Sequence, residues 1–249
     1  MVLIEFVKRT FLVVIICSVF FGQAACNENV KPAEKKKVVD NESFEGNDFQ
    51  EFTKEDLHGF VWMHEPASFN IQDNVLQIEV GAKTDFFNDP GTGAITGTAP
   101  FLYKEQSGDF VATALVKPDF KDMWNAVSIM IYLNEKNWIK FAFENSDATG
   151  KGIVTVVTRD VSDDANGVIL TNEDMIWLKI ARKDNLYAMH WSTDGVDYKM
   201  ARLAAMAPVD TVKVGIEAQC PAGEEALHEV LYFSLEKESV ADLRKLQSN

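Results

Sequence analysis

NWIKFAFENSDATGKGIVTVVTRDVSDDAN, residues 137–166, decides the fold. Ile139, Phe141 and Phe143 alternate with Trp138, Lys140 and Glu144, and a period of two is that of a strand buried on one face. Asp147-Ala148-Thr149-Gly150 supplies a turn, and a β-branched run over 153–158 forms a second strand. The stretch therefore predicts a β-hairpin with a core face and a polar face, followed by an acidic loop at 160–167. That loop offers oxygen atoms but lacks the spacing and terminal glutamate of an EF-hand, so a solvated turn is the expectation rather than a calcium site.

Neighbouring segments repeat the division. Val127, Ile129 and Ile131 oppose Trp124, Ser128 and Met130; Val214, Ile216 and Ala218 oppose Glu217 and Gln219. If these strands share a sheet, the apolar set packs on a second sheet and the polar set paves the outer face. Further strand-like runs lie at 60–62, 69–71, 76–80, 110–116, 176–182, 186–192, 198–203 and 227–235, separated by turn signals such as Asp73-Asn74 and Thr193-Asp194-Gly195. This pattern predicts an all-β, antiparallel, two-sheet jelly-roll sandwich over residues 49–236. Residues 237–249 are expected to form a helical tail. A Gly/Pro-rich loop near 90–100 is either an ordinary connection or the lip of a binding mouth.

The N-terminal part has a different character. Lys8 and Arg9 precede an apolar run and then Gln23-Ala24-Ala25-Cys26, the layout of a secretory signal over residues 1–26. Cysteine after two alanines predicts a lipoprotein, acylated at Cys26 and held in the bacterial cell envelope by that anchor alone; soluble export, with Cys26 incidental, is the alternative. Residues 27–48, charged and poor in aromatics, read as a flexible linker. The net charge is −14, which argues against nucleic acid as a partner. Beyond the signal only Cys220 remains, so no disulfide framework is expected and Cys220 reads as a buried small residue.

No nucleophile elbow, phosphate loop or histidine pair at zinc-ligand spacing occurs, and no cofactor or metal is expected. The polar face carries the candidate site: Trp138, Lys140 and Glu144, with Glu217 and Gln219 adjacent and Asp85 and Asp163 at the rim. An aromatic ring beside charged hydrogen-bonding groups suits a glycan or small saccharide, with Trp138 stacking, Lys140 donating and the acids accepting. A solvated sheet face is the competing reading. Two further alternatives are a glycan hydrolase using Glu144 and Glu217, and a protein-interaction module of the envelope. The catalytic one lacks a recognisable motif, so binding is favoured over turnover.

The residues resemble one known family, the domain of unknown function 1349 group, related to the regulation-of-enolase proteins. The similarity runs through Thr84-Asp85-Phe86, Asn137-Trp138-Ile139-Lys140 with Glu144, Val156-Val157-Thr158-Arg159 and Ser162-Asp163. It continues through Ser192-Thr193-Asp194-Gly195, Met200-Ala201-Arg202-Leu203, Val214-Gly215 and Cys220-Pro221-Ala222-Gly223. The resemblance implies a concanavalin-like or galectin-like jelly roll and a carbohydrate-related role. Asn125-Ala126-Val127-Ser128 departs from the family's Asp-x-x-Gly pattern, and Asp164 stands where a tryptophan is usual.

Overall fold

The computed structural model describes residues 44–248. The signal, Cys26 and most of the linker lie outside the described residues. Two seven-stranded antiparallel sheets dominate. The first runs, edge to edge, β1 (Val61–Met63), β6 (Phe101–Ser107), β15 (Thr211–Gln219), β8 (Ala126–Asn134), β9 (Asn137–Ser146), β10 (Gly150–Arg159) and β11 (Val161–Ile169). The second runs β14 (Lys199–Ala205), β13 (Leu186–Ser192), β12 (Ile176–Lys183), β7 (Phe110–Lys117), β16 (Glu225–Glu236), β3 (Val75–Gly81) and β2 (Ser68–Gln72). Two small hairpins stand apart, β4 (Phe86–Asn88) with β5 (Ile95–Gly97), and β17 (Val240–Asp242) with β18 (Gln247–Ser248). Non-consecutive strands neighbour one another in both large sheets, and the whole is the expected jelly-roll sandwich.

The core lies between the sheets, and the alternating apolar residues build it. Phe141, Phe143 and Ile129 from the first sheet meet Leu178, Ile180 and Val116 from the second, all fully buried. Gly215 lies where β15 passes β6 so closely that a Cβ would sit 1.9 Å from the Leu102 carbonyl oxygen, so this strand position admits only glycine. Cys220 is a buried free thiol packed into the same core. The Ser192–Gly195 turn forms as expected: Asp194 Oδ1 accepts from the Val196 and Asp197 amides at 2.8 and 2.9 Å, and Gly195 takes φ +76°.

Three boundaries differ from the sequence expectation. The acidic stretch at 160–167 is not a loop but most of the edge strand β11, paired with β10 from Arg159↔Val161 to Gly152↔Ile169 around a tight turn at Asp160. Its charges suit an edge, where they discourage pairing with another chain. The tail is not helical. Val240 and Leu243 bury against Val111, Ala181 and Ala188 on the outer face of the second sheet, and apolar residues three apart fit a hairpin as well as a helix. The backbone oxygens of that segment are taken by His190 Nε2 on Leu243 at 2.9 Å and by Lys183 Nζ on Val240 at 3.0 Å, side-chain partners that replace helical ones. Finally, residues 44–48, counted with the linker, are packed on the domain. The Phe44 ring packs edge-on against Trp177 and Tyr232, and buried Asn47 bonds the backbone of Asn74, Leu231 and Phe233.

Candidate functional site

The outer face of the first sheet carries a depression whose floor is set by small side chains. In register across the strands, Glu217 faces Ser128, Ser128 faces Ala142, and Ala142 faces Val154. One pleat along, Gln219 faces Ala126, Ala126 faces Glu144 and Glu144 faces Gly152. Ala126, Ser128, Ala142 and Gly152 lack the bulk to fill the layer above the sheet. Lys140 and Glu144, about 14 Å apart along β9, rise at either end of Ala142. The result is a cleft of about 430 Å³.

A lid closes the far side of this layer. Asp85 and the β4–β5 hairpin cross the sheet, and Phe86 seals a second apolar cluster with Trp138, Met130 and Phe101. Asn88 straps the hairpin down, donating to the carbonyls of Glu135 and Asp160 at 3.0 Å each, while its own amide N–H donates to Ser162 Oγ at 2.9 Å. Phe87 of β4 and Asp89, just ahead of the Gly/Pro-rich loop, reach the cleft, whereas residues 90–100 do not line it. Asp89 is held in shape by accepting from the Gly91 and Thr92 amides, which keep its carboxyl below the usual range.

Lys140 is the electrostatic centre. It is 2% exposed, and its ammonium donates to Gln219 Oε1 at 2.6 Å, to the Phe86 carbonyl at 3.0 Å and to Asp85 Oδ1 at 3.1 Å. Burial would lower its pKa, but the Asp85, Glu217 and Glu144 carboxylates outweigh it and hold the pKa above the ordinary value. Three N–H groups meet three acceptors, which leaves Lys140 none for a ligand. The expected donor role of Lys140 is therefore corrected: it organises the site from within.

Two glutamates share this field. Glu217 is fully buried and accepts from Ser128 Oγ at 2.7 Å through Oε2, while Oε1 has no hydrogen-bond partner. Burial, only partly offset by Lys140 and Ser128, pushes its carboxyl up to about 7. Glu144 is 6% exposed, lines the cleft and makes no side-chain hydrogen bond among the described residues. Burial pushes it up to about 7 as well, with Lys140 opposing and Asp85, Glu217 and Asp164 adding to the rise.

Gln219 is locked at both ends, accepting from Lys140 and donating through Nε2 to the Trp124 carbonyl at 2.8 Å. Its backbone oxygen meets His228 Nε2 at 3.1 Å, while His228 Nδ1 accepts from the Asp119 amide at 3.1 Å. Those bonds place the imidazole proton on Nε2, and burial, only partly offset by the Gln219 bond, holds the pKa down to about 4. A neutral histidine thus pins the end of β15 that carries Gln219.

Of the seven expected ligand residues, Lys140, Glu144, Gln219 and Asp85 line the cleft and Glu217 is sealed beside it in the same charge network. The other two do neither. Trp138 is 0% exposed, its ring 6.1 Å from Phe86 under the hairpin, and a covered indole has no face for a sugar. Asp163 points to the opposite face of β11, where it pairs with Arg202 of β14 at 3.0 Å and ties the two sheets together. Arg202 therefore pins structure through a carboxylate, whereas Arg182 does so through the carbonyls of Asp184, Val209 and Asp210.

Two aromatic side chains line the cleft, Phe87 and the exposed Trp124. Trp124 precedes β8, is 39% exposed and adopts φ +63°, a left-handed conformation that costs a non-glycine residue about 1–3 kcal/mol. Its amide donates to the Asn145 carbonyl at 2.7 Å and its carbonyl accepts from Gln219, so both flanking peptides are fixed. Asp164 and Asn166, on the same face of β11, complete the wall, with Ser146 donating to Asn166 Oδ1. Asp164 and Asn166 were legible as a period-two pair once 161–169 is read as a strand.

A family model described as "Protein of unknown function (DUF1349)" matches residues 62–238. The sequence is 25% identical over 161 residues to "Regulation of enolase protein 1" of Saccharomyces cerevisiae, covering 65% of this chain and 81% of that one. A crystal structure of a functionally unknown protein from Saccharomyces cerevisiae superposes with a TM-score of 0.67 at 24% identity, over 71% of this chain and 95% of that one. The GH43 protein BlXynB from Bacillus licheniformis superposes with a TM-score of 0.61 at 16% identity, over 78% of this chain. That similarity spans only 39% of the BlXynB chain.

Proposed function

This chain belongs to the DUF1349 family of proteins of unknown function, and from its fold and its cleft we propose that it is a saccharide-binding module. The observation that carries the reading is the half-exposed Trp124 indole held at the rim of a 430 Å³ cleft whose polar lining is mostly acids and amides. A pyranose presents an apolar C–H face to such a ring and hydroxyl groups to such a wall. The fold is shared with proteins whose names place them among the glycoside hydrolases, which agrees with this reading.

Binding is favoured over hydrolysis. A two-carboxylate mechanism needs both groups at the glycosidic bond. Glu217 is sealed from the cleft and engaged with Ser128, so Glu144 and Glu217 do not form such a pair.

A glycan array followed by calorimetry on the best ligand tests the proposal. Trp124→Ala is expected to weaken binding about tenfold, the loss of one good aromatic contact. Absence of any saccharide signal for the parent, or equal binding by the variant, would overturn it.

The protein is further proposed to be exported and anchored in a bacterial envelope through acyl chains on Cys26. Basic residues, an apolar run and Ala24-Ala25 ahead of that cysteine support this. Mass spectrometry of the membrane fraction is expected to find a mature terminus at acylated Cys26. An unmodified terminus elsewhere would exclude the anchor.

A further inference from the structure

The cleft is rich in acceptors and poor in donors, and its free charges are all of one sign. Lys140 is the only cation among the described residues that line it, and its three N–H groups are spent on Gln219, Phe86 and Asp85. The donors left for a ligand are neutral, the amides of Asn166 and Gln219 and the indole N–H of Trp124. Against them stand the carboxyl groups of Glu144, Asp164, Asp147 and Asp85. Acidity alone would only describe a solvated surface. Glu144 adds an independent observation: a side chain more than nine-tenths buried that lines the cleft and has no hydrogen-bond partner among the described residues. Its oxygens open only to the cleft, where a donor on a ligand can reach them.

We propose that the saccharide taken by this cleft carries a free, protonated amine, an amino sugar such as a glucosaminyl unit, with its ammonium group seated between Glu144 and Asp164. This rests on the saccharide reading and narrows it. The ammonium supplies three charged donors where the protein has acceptors, and the ring's C–H face is turned to Trp124. Acetylation removes both the charge and two of the donors. A uronate or sulfated sugar meets carboxylates with no free cation to balance it.

Proton release follows the same geometry. Glu144 faces Lys140 on its own strand, Glu217 across the sheet, Asp164 on β11 and Asp85 on the hairpin flank, and burial leaves its carboxyl titrating near 7. A bound ammonium favours the carboxylate, so binding near pH 6.5 releases protons, on the order of half a proton per site.

Calorimetric titration of the full-length protein with a glucosamine tetramer, its N-acetylated counterpart, a xylo-oligosaccharide and an oligogalacturonide distinguishes the outcomes. The amine tetramer is expected to bind at least about tenfold tighter than the acetylated and neutral sugars, with the galacturonide weakest. Its heat should vary with the ionisation enthalpy of the buffer as protons are released. Glu144→Gln should abolish the proton release and reduce the preference to within about threefold. Asp164→Asn, a change on an exposed edge strand, should also reduce the preference and does not depend on a buried site. If the neutral sugar binds as tightly as the amine, the amine inference falls and the saccharide reading stands. If no member of the set binds, both fall.

Discussion

Replacing Lys140 by methionine is expected to destabilise the protein by about 3–5 kcal/mol at neutral pH, the usual cost of removing one partner from a buried charge network. Methionine keeps the apolar length of the side chain, so packing against Met130 and Val156, its cross-strand neighbours, is largely retained and the loss is electrostatic. Gln219 Oε1, the Phe86 carbonyl and Asp85 Oδ1 each lose their donor. Glu217 and Glu144 lose the one nearby cation that favours their charged forms, and their carboxyl groups rise further. The second consequence is local. Lys140 fixes the start of the β4–β5 hairpin at two points, so amide hydrogen exchange across 86–97 should accelerate more than in the rest of the first sheet. Urea denaturation and exchange measured on the same variant test both claims. A loss under about 1 kcal/mol would mean that the ammonium is hydrated in the parent and contributes little to holding the lid.

That network explains which parts of the site could be read from the sequence. Alternation fixes the face on which a side chain emerges, and it placed Lys140, Glu144, Glu217 and Gln219 together correctly on the outer face. It says nothing of what lies above that face. Trp138 obeys the same alternation, yet the hairpin at 86–97 covers it, because Asn88 ties a distant segment across the sheet. Whether an aromatic on a polar face is a ligand platform or a second core depends on such long-range coverage. Asp163 failed for a simpler reason: reading 160–167 as a loop discards parity, and parity sends Asp164 and Asn166 to the cleft and Asp163 to Arg202. Trp124 was placed on the polar face but not in the candidate site, because its exposure comes from a left-handed backbone just outside the strand, a conformation that propensity does not anticipate for tryptophan. The jelly roll itself needed none of this. Its two apolar faces, repeated over several strands, over-determine the sandwich, as Val127, Ile139 and Val214 show by all reaching one core.

Glu217→Gln is expected to change the pH dependence of stability by an amount second only to the loss of Lys140. In the unfolded chain this carboxyl group releases its proton near its ordinary value of 4.5; in the folded protein burial holds the proton to about 7. Between those values the native state binds more protons than the unfolded state, so the contribution is fully present below about 4.5 and is lost as pH rises through 7. A shift of that size corresponds to roughly 3 kcal/mol. Glutamine cannot ionise and still accepts from Ser128 Oγ through its amide oxygen, while the amide nitrogen takes the place of the unpartnered Oε1. That last change adds a cost independent of pH, so the diagnostic quantity is the slope. Measured by urea denaturation from about pH 4 to about pH 9, the variant should gain on the parent by roughly 2–3 kcal/mol, most of it between about pH 4.5 and 7. Glu144 retains its own titration in the variant but moves closer to the ordinary range, since Glu217 no longer adds to its rise. The parent curve should therefore fall more steeply than the variant curve between about pH 4.5 and 7 for both reasons. A difference between the two proteins that stays flat across the range would show that Glu217 is ionised in the native state well below pH 7, with Lys140 and Ser128 together overcoming its burial.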